Sequence, residues 1–98
     1  MPDFILLMHR DVESAPNAEM WTAYFATLRG RGVFDGGSAI GAGDSFRKAG
    51  APGAVGEQIS GCIRVRAADL AQARECLEGN PVFECGGTVE IRELPQGQ

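Results

Sequence analysis

Two stretches of the chain alternate between apolar and polar residues, and this pattern predicts strands over Gln58–Arg66 and Thr88–Leu94. Each has one apolar face, formed by Ile59, Ile63 and Val65 in the first strand and by Val89 and Ile91 in the second. The opposite face is polar or small, and it carries Ser60, Cys62, Arg64, Arg66, Thr88, Glu90 and Arg92. Such alternation is typical of a sheet whose second face is solvated or meets a partner.

Two further strands and two helices complete the predicted set of elements. Phe4–Met8 is apolar without alternation, which is typical of a central strand buried on both faces. Val33–Ile40 reads as another strand, interrupted by a pair of glycines. Helical spacing of apolar residues predicts a helix over Ala18–Arg29, capped by Asn17, and a second helix over Asp69–Glu78. The predicted buried stripe of the second helix is Leu70, Ala73 and Leu77.

The order of these elements predicts an α+β fold of the ferredoxin-like β-α-β-β-α-β type. Right-handed crossovers then give a four-stranded antiparallel sheet with both helices on one face, which leaves the other face bare. With 98 residues, the chain is predicted to be a single domain, 1–98. We expect 41–57 to be a mobile glycine-rich loop anchored by Phe46, Val82–Gly87 to be a connecting loop, and 95–98 to be a frayed tail.

Composition narrows the possible partners and cofactors. The net charge is −4 and the arginines are dispersed, so we expect no nucleic-acid binding, which needs a concentrated basic surface. No stretch is long and apolar enough to span a membrane, and the default expectation is a cytoplasmic protein. Three cysteines without a Cys-x-x-Cys pair suit a reducing compartment. With His9 as the single histidine and no glycine-rich phosphate motif, we expect neither a metal site nor a nucleotide cofactor.

Several ordered stretches resemble the YCII-related family, in particular its DGPF-type branch. They are Phe4–Met8, Gly32–Gly37, Ile59–Ala73 and Gly86–Leu94, which together span most of the chain in the order of the family. The resemblance implies a dimeric α+β barrel, in which two sheets pack through their helix-free faces around a cavity. Some members of such families are enzymes that act on small, often aromatic or chlorinated molecules, and YCII proteins are thought to use a His–Asp pair.

The chain departs from the family at both of its characteristic motifs. Ala18–Arg29 contains no histidine, whereas the YCII branch carries one on this helix. Gly53–Glu57 stands where the other branch has its Asp-Gly-Pro-Phe motif. Site residues therefore have to be sought among the other polar side chains of this sequence.

The polar sheet face offers a candidate ligand-binding set, Arg64, Glu90 and Arg92. Paired arginines near a carboxylate can bind an anionic ligand through charge-assisted hydrogen bonds. The alternative is that these three side chains form ion pairs on a dimer face.

Three residues are candidates for catalysis. Cys62 shares a strand face with Arg64, and nearby positive charge favours a reactive thiolate, although cysteine also packs commonly as a small buried residue. His9 and Asp11 lie two positions apart at the end of the first strand, where a carboxylate could orient a general base. The alternative is that His9 and Asp11 are simply polar residues at a strand end exposed to solvent, where the same residue types are expected. Trp21 and its aromatic neighbours are more simply explained by packing of the helix on the sheet.

These observations lead to two hypotheses about function. In the first, the protein is a homodimer through its helix-free sheet face, and it binds or transforms a small anionic or aromatic molecule in a cavity at the interface. In the second, it is a non-catalytic ligand-sensing or protein-interaction module. A pocket with convergent polar groups would favour the first hypothesis, and a packed, ion-paired face would favour the second.

Overall fold

The computed structural model describes residues 2–96 and has the predicted order of strands and main helices. The strands are β1 (Asp3–His9), β2 (Phe34–Ala39), β3 (Ile59–Arg66) and β4 (Val89–Leu94), and the helices are α1 (Ala18–Gly30), α2 (Leu70–Arg74) and α3 (Pro81–Glu84). A 3₁₀ turn, Glu75–Leu77, extends α2. No helix within residues 2–96 has the length and apolar character needed to cross a membrane.

The four strands form one antiparallel sheet in the order β2-β3-β1-β4. The apolar first strand is therefore internal, as predicted, and it separates β3 from β4. Leu6 of β1 lies opposite Ile63 and Ile91 on the helix side. The next residue, Leu7, lies opposite Cys62 and Glu90 on the bare side. The register thus confirms the two faces that the alternation predicts.

The core lies between the sheet and the helices. Leu6 and Val65 of the sheet are fully buried, and Tyr24 and Leu28 of α1 pack over them in the same apolar cluster. The side chain of Asn17 accepts a hydrogen bond from the Met20 amide at 2.9 Å, which confirms the predicted N-cap. The four-stranded α+β fold is therefore the one the sequence predicts.

Three local predictions were wrong. Val82–Gly87 is not wholly a loop, because α3 begins at Pro81 and buried Asn80 caps it by accepting a hydrogen bond from the Phe83 amide at 3.0 Å. Leu70 does not belong to the buried stripe: it is the first residue of α2 and is 57% exposed. Phe46 does not anchor the loop 41–57 by packing against the protein, since its side chain is 88% exposed.

The two segments expected to be irregular are only partly described. Residues 41–57 contain no helix or strand, which agrees with the predicted loop; its mobility stays a prediction. Of the tail 95–98, residues 97 and 98 lie outside the described part of the chain, so its predicted fraying also stays a prediction.

Candidate functional site

An apolar cavity of about 410 Å³ opens between α1 and the β2–β3 side of the sheet. Its floor is made by helix-facing positions of three strands, where small residues alternate with larger ones: Gly37, Ala39, Gly61, Ile63 and Met8. Its walls are aromatic: Trp21, Phe25 and Phe34. The cavity exists because small residues occupy sheet positions that larger apolar side chains would otherwise fill.

Two glycines shape the floor because neighbouring atoms leave little room for a side chain at either position. A Cβ atom on Gly37 would lie 2.5 Å from the carbonyl oxygen of Cys62, so β2 can approach β3 here only without a side chain. A Cβ atom on Gly61 would lie 3.0 Å from the terminal methyl group of Met8. The paired glycines that the sequence places inside β2 therefore mark the irregular register of the β2–β3 ladder, which shifts between Phe34 and Gly37.

The aromatic wall is held together by ring contacts. The rings of Trp21 and Phe25 are stacked, with centroids 5.7 Å apart, and Phe25 lies 5.4 Å from Phe34. The guanidinium of Arg29 lies 5.0 Å from the centroid of the Phe34 ring, which fixes the outer side of that ring by a cation–π contact. The wall thus presents flat apolar surface to anything that enters the cavity.

The opposite, helix-free face is polar at its edges and apolar along its centre. Ile5 and Leu7 of β1 are half-buried there, beside half-buried Cys62. Arg64 donates to Asp3 at 2.9 Å and also lies 3.5 Å from Asp35. Arg66 donates to the same Asp35 at 2.9 Å. Carboxylates of this chain therefore already pair with both arginines of β3.

The predicted site residues do not all meet. Nε2 of His9 lies 2.6 Å from Oε2 of Glu90, whereas the nearest guanidinium nitrogen of Arg92 lies 3.9 Å from the Glu90 carboxylate. Asp11 instead accepts hydrogen bonds from the backbone and hydroxyl of Thr88. The structure thus places a histidine beside a carboxylate, but the carboxylate belongs to β4. Arg64 pairs with other acids, so Arg64, Glu90 and Arg92 do not form one cluster.

Three groups have shifted pKa values with clear physical causes. Hydrogen bonds from the Thr88 hydroxyl and amide lower the pKa of Asp11. Burial raises the pKa of Tyr24 to about 12, and its hydroxyl donates to the Cys76 carbonyl at 2.6 Å. Burial also raises the pKa of the Cys76 thiol, which lies in the core. Burial therefore disfavours the charged form of both Tyr24 and Cys76, which lie in the core.

Metal-binding side chains do not cluster in the described part of the chain. Within residues 2–96, no three His, Cys, Asp or Glu side chains come together as a possible metal site. The polar residues that border the cavity are Ser38, whose hydroxyl donates to the Ala39 carbonyl, and Ser60, whose hydroxyl donates to the Met8 carbonyl. Cys62 also borders it, although the alternation of β3 directs the Cys62 side chain to the helix-free face with Arg64. The cavity is thus suited to apolar contact rather than to metal coordination.

Comparison with known proteins gives a structural relative. One solved structure that matches is the 5-chloro-2-hydroxyhydroquinone dehydrochlorinase TftG of Burkholderia phenoliruptrix, in complex with 2,5-dihydroxybenzoquinone. It matches with a TM-score of 0.56 over 99% of this chain and 96% of that chain, at 14% sequence identity. The likeness shows a related fold. No protein-family model matches the sequence, and no curated protein matches it.

Sequence reasoning missed the cavity. It assigned Trp21 and Phe25 to packing alone. It interpreted the glycines of β2 as a bulge, a bend or a close backbone approach, and the close approach is confirmed at Gly37, but it drew no cavity from them. The available signal was the combination of small residues on the helix-facing side of β2 and β3, at Gly37, Ala39 and Gly61, with aromatic residues on the facing helix. A packed two-layer fold needs bulk at such positions, so small residues there indicate a cavity.

Proposed function

We propose that this protein binds a small, flat, largely apolar molecule in the cavity between α1 and the β2–β3 side of the sheet. The observation that carries the proposal is the juxtaposition of an aromatic wall, Trp21, Phe25 and Phe34, with a floor of glycine and alanine. A slot of this kind accepts a planar ring by stacking and excludes bulkier, strongly hydrated molecules.

The size and chemistry of the cavity support this class of ligand. Its volume, about 410 Å³, lies within the range of about 300–1,000 Å³ that is common for small-molecule sites. A ring that loses about 150 Å² of apolar surface gains about 4 kcal/mol, at about 25 cal/mol per Å². The lost translational and rotational freedom of the ligand opposes that gain, so apolar burial alone supports weak binding.

The structural relative gives independent support for the ligand class. TftG was solved with 2,5-dihydroxybenzoquinone, a planar six-membered ring that carries oxygen substituents. The resemblance of the sequence to the YCII-related family points in the same direction, towards small aromatic molecules. Neither comparison identifies the ligand of this chain, and the proposal rests on the shape and lining of its own cavity.

A thermal-shift screen tests the proposal. Phenols and hydroxyquinones at millimolar concentration are expected to raise the melting temperature, whereas small aliphatic carboxylates such as citrate are not. Stabilisation by carboxylates alone would refute the apolar slot and point to an anion site elsewhere on the protein. No stabilisation by either class would support a non-catalytic interaction module instead.

The helix-free face supports a second part of the proposal, self-association. Ile5 and Leu7 lie exposed in part along its centre, while the charges of Arg64 and Arg66 are already compensated by Asp3 and Asp35. A second copy could cover the apolar stripe without leaving these charges unpaired, which is the main penalty for burying them. Sedimentation of wild type and L7D tests this, because an aspartate at the centre should prevent the association.

Catalysis is a second candidate function, favoured by the contact between His9 and Glu90. A carboxylate 2.6 Å from an imidazole nitrogen orients the ring, and this arrangement is common among general bases. In this proposal a ligand bound between two copies would react at His9, with Arg92 near its anionic group. An H9N variant that loses turnover but keeps ligand stabilisation would support catalysis at His9; unchanged turnover would exclude His9 as the general base, and no turnover by wild type would exclude catalysis of that substrate.

A further inference from the structure

The cavity between α1 and the β2–β3 side of the sheet offers a ligand few hydrogen-bond donors. Ser38 and Ser60 contribute hydroxyl groups to its border, and each hydroxyl already donates to a backbone carbonyl of the protein, at 2.8 Å and 3.2 Å respectively. The alternation of β3 directs the thiol of Cys62, a weak donor, to the helix-free face. Apart from Trp21, the other side chains that line the cavity contain no donor at all.

The indole N–H of Trp21 is therefore the strong side-chain donor that the cavity lining has to offer. Within residues 2–96 it donates to no acceptor of the protein, and no buried side-chain nitrogen or oxygen there lacks a hydrogen-bond partner. The indole nitrogen must therefore be in reach of solvent. A ligand that covers the indole removes this access, so it has to supply an acceptor or leave the N–H unpaired, which is unfavourable.

Trp21 also lies where a substituent on a bound ring has room. It borders a second depression near the end of β1, which Pro16 and Val82 help to line. Ser60 borders both spaces as well. Trp21 thus stands between the cavity and this depression, and a ring bound in the cavity can direct a substituent past the indole towards the second space.

We infer that Trp21 selects ligands whose ring carries a hydrogen-bond acceptor, in particular a carbonyl oxygen. This inference rests on the ligand site proposed above and specifies the class of molecule that the site takes. The aromatic wall gives flat rings of equal size a similar gain from apolar contact. A carbonyl oxygen at the indole N–H satisfies the donor that the ring covers, whereas a hydrocarbon substituent leaves it unpaired. Aryl ketones and quinones are the expected class.

A comparison of two ligands and two proteins isolates this hydrogen bond. The ligands are acetophenone and ethylbenzene, which differ by a carbonyl group in place of a methylene group. The proteins are the wild type and a variant in which 3-benzothienylalanine replaces Trp21, so that sulfur takes the place of the N–H in a side chain of almost the same shape. Trp21 is the single tryptophan, so the change is confined to one position. The methyl resonance of Met8, on the cavity floor, reports binding in every combination.

The replacement should weaken acetophenone binding about threefold to tenfold, which is the usual size of one hydrogen bond, and change ethylbenzene binding less than about twofold. W21F, which also removes the N–H, should likewise weaken acetophenone more than ethylbenzene. Equal weakening of the two ligands would show that Trp21 contributes contact area alone, and it would overturn this inference while leaving the proposed cavity site intact. No binding of either ligand to the wild type would overturn both.

The indole proton of the wild type gives a second readout that needs no variant. Acetophenone should move its resonance downfield, because a hydrogen bond deshields the proton. Ethylbenzene should change the resonance through its ring current alone, without that downfield component. The same shift with both ligands would contradict a hydrogen bond from Trp21 to the carbonyl oxygen.

Discussion

The imidazole of His9 and the carboxylate of Glu90 lie 2.6 Å apart, at the end of β1 and on the neighbouring β4. The two residues are 81 positions apart in sequence, so the contact is a product of the fold. The strand register explains it: Glu90 lies opposite Leu7, and His9 follows two residues later on the same face. The backbone amide of His9 also donates to the Thr88 carbonyl at 2.9 Å, which continues the ladder beyond Met8.

Removing this pair should lower stability modestly. We expect E90Q and H9N each to reduce the free energy of unfolding by about 1 kcal/mol or less, because both side chains are partly exposed and the interaction is screened by solvent. A double-mutant cycle in urea denaturation measures the coupling. The control is E93Q, a carboxylate on the opposite face of β4, and a coupling of zero between His9 and Glu90 would mean that the contact is not formed in solution.

A methyl group added at Gly37, on the cavity floor in β2, should destabilise the protein far more than one added at Gly43, in the loop 41–57. G37A places a methyl group against the Cys62 carbonyl, 2.5 Å away, so strand pairing must shift at a cost of about 1–3 kcal/mol. In G43A the new methyl group meets no atom within 4 Å, and stability should be unchanged or slightly higher. Equal unfolding midpoints for the two variants would contradict the described approach of β2 to β3.

Tyr24 should make the protein sensitive to alkaline pH. Because burial raises its pKa from 10.0 to about 12, the folded state disfavours the phenolate. The contribution of the neutral group is complete below pH 10 and is lost as pH rises through about 12. Y24F should lower the free energy of unfolding at pH 7 by about 1–2 kcal/mol, since the Cys76 carbonyl loses its donor. It should also flatten the decline in stability above pH 10, whereas an equally steep decline would assign the alkaline transition to another group.

Asp11 should make the stability of the protein depend on pH at the acid end of the range. Its pKa is lowered by the hydrogen bonds from Thr88, so its contribution to stability is present above the ordinary value of 3.8 and is lost as pH falls below it. D11A should therefore have a lower melting temperature than wild type at pH 7. The difference should shrink as the pH falls below 3.8. A difference that stays constant from pH 7 to pH 2 would show that the carboxylate charge is not responsible.

The regular part of the fold could be predicted because each strand and α1 carries its own periodic signal. The apolar run Phe4–Met8 identifies the internal strand, and the alternation of β3 and β4 gives the faces that the register confirms. The start of α3 was also readable: Asn80 followed by Pro81 is a common N-cap and first helical residue, but the segment was treated as a stop signal. Leu70 was misplaced because α2 is short and its first turn lies at the edge of the core.

The candidate site was harder to predict because it depends on contacts between distant segments. The sequence analysis pairs His9 with Asp11, two positions away, whereas the fold places Glu90 of β4 beside it. That contact depends on the pairing of β1 with β4, which local alternation does not reveal. The cavity forms because small residues of β2 lie opposite aromatic rings of α1. The sequence of neither segment, taken alone, indicates that the two face each other. Phe46 lies in the loop 41–57, whose ends are joined by hydrogen bonds from Arg10 to the carbonyls of Ile40 and Glu57. Contacts of this kind, between distant segments, carry no local sequence signal.

The most direct test of the proposed ligand site follows the indole N–H resonance of Trp21, the single tryptophan of the chain, during titration with 2,5-dihydroxybenzoquinone. Binding in the cavity predicts a concentration-dependent shift that saturates. In A39L, a leucine on the cavity floor should weaken binding about tenfold or more, whereas A26L, the same change at an exposed position of α1 outside the cavity, should bind like wild type. An unshifted indole resonance, or equal binding by A39L and A26L, would contradict the proposal.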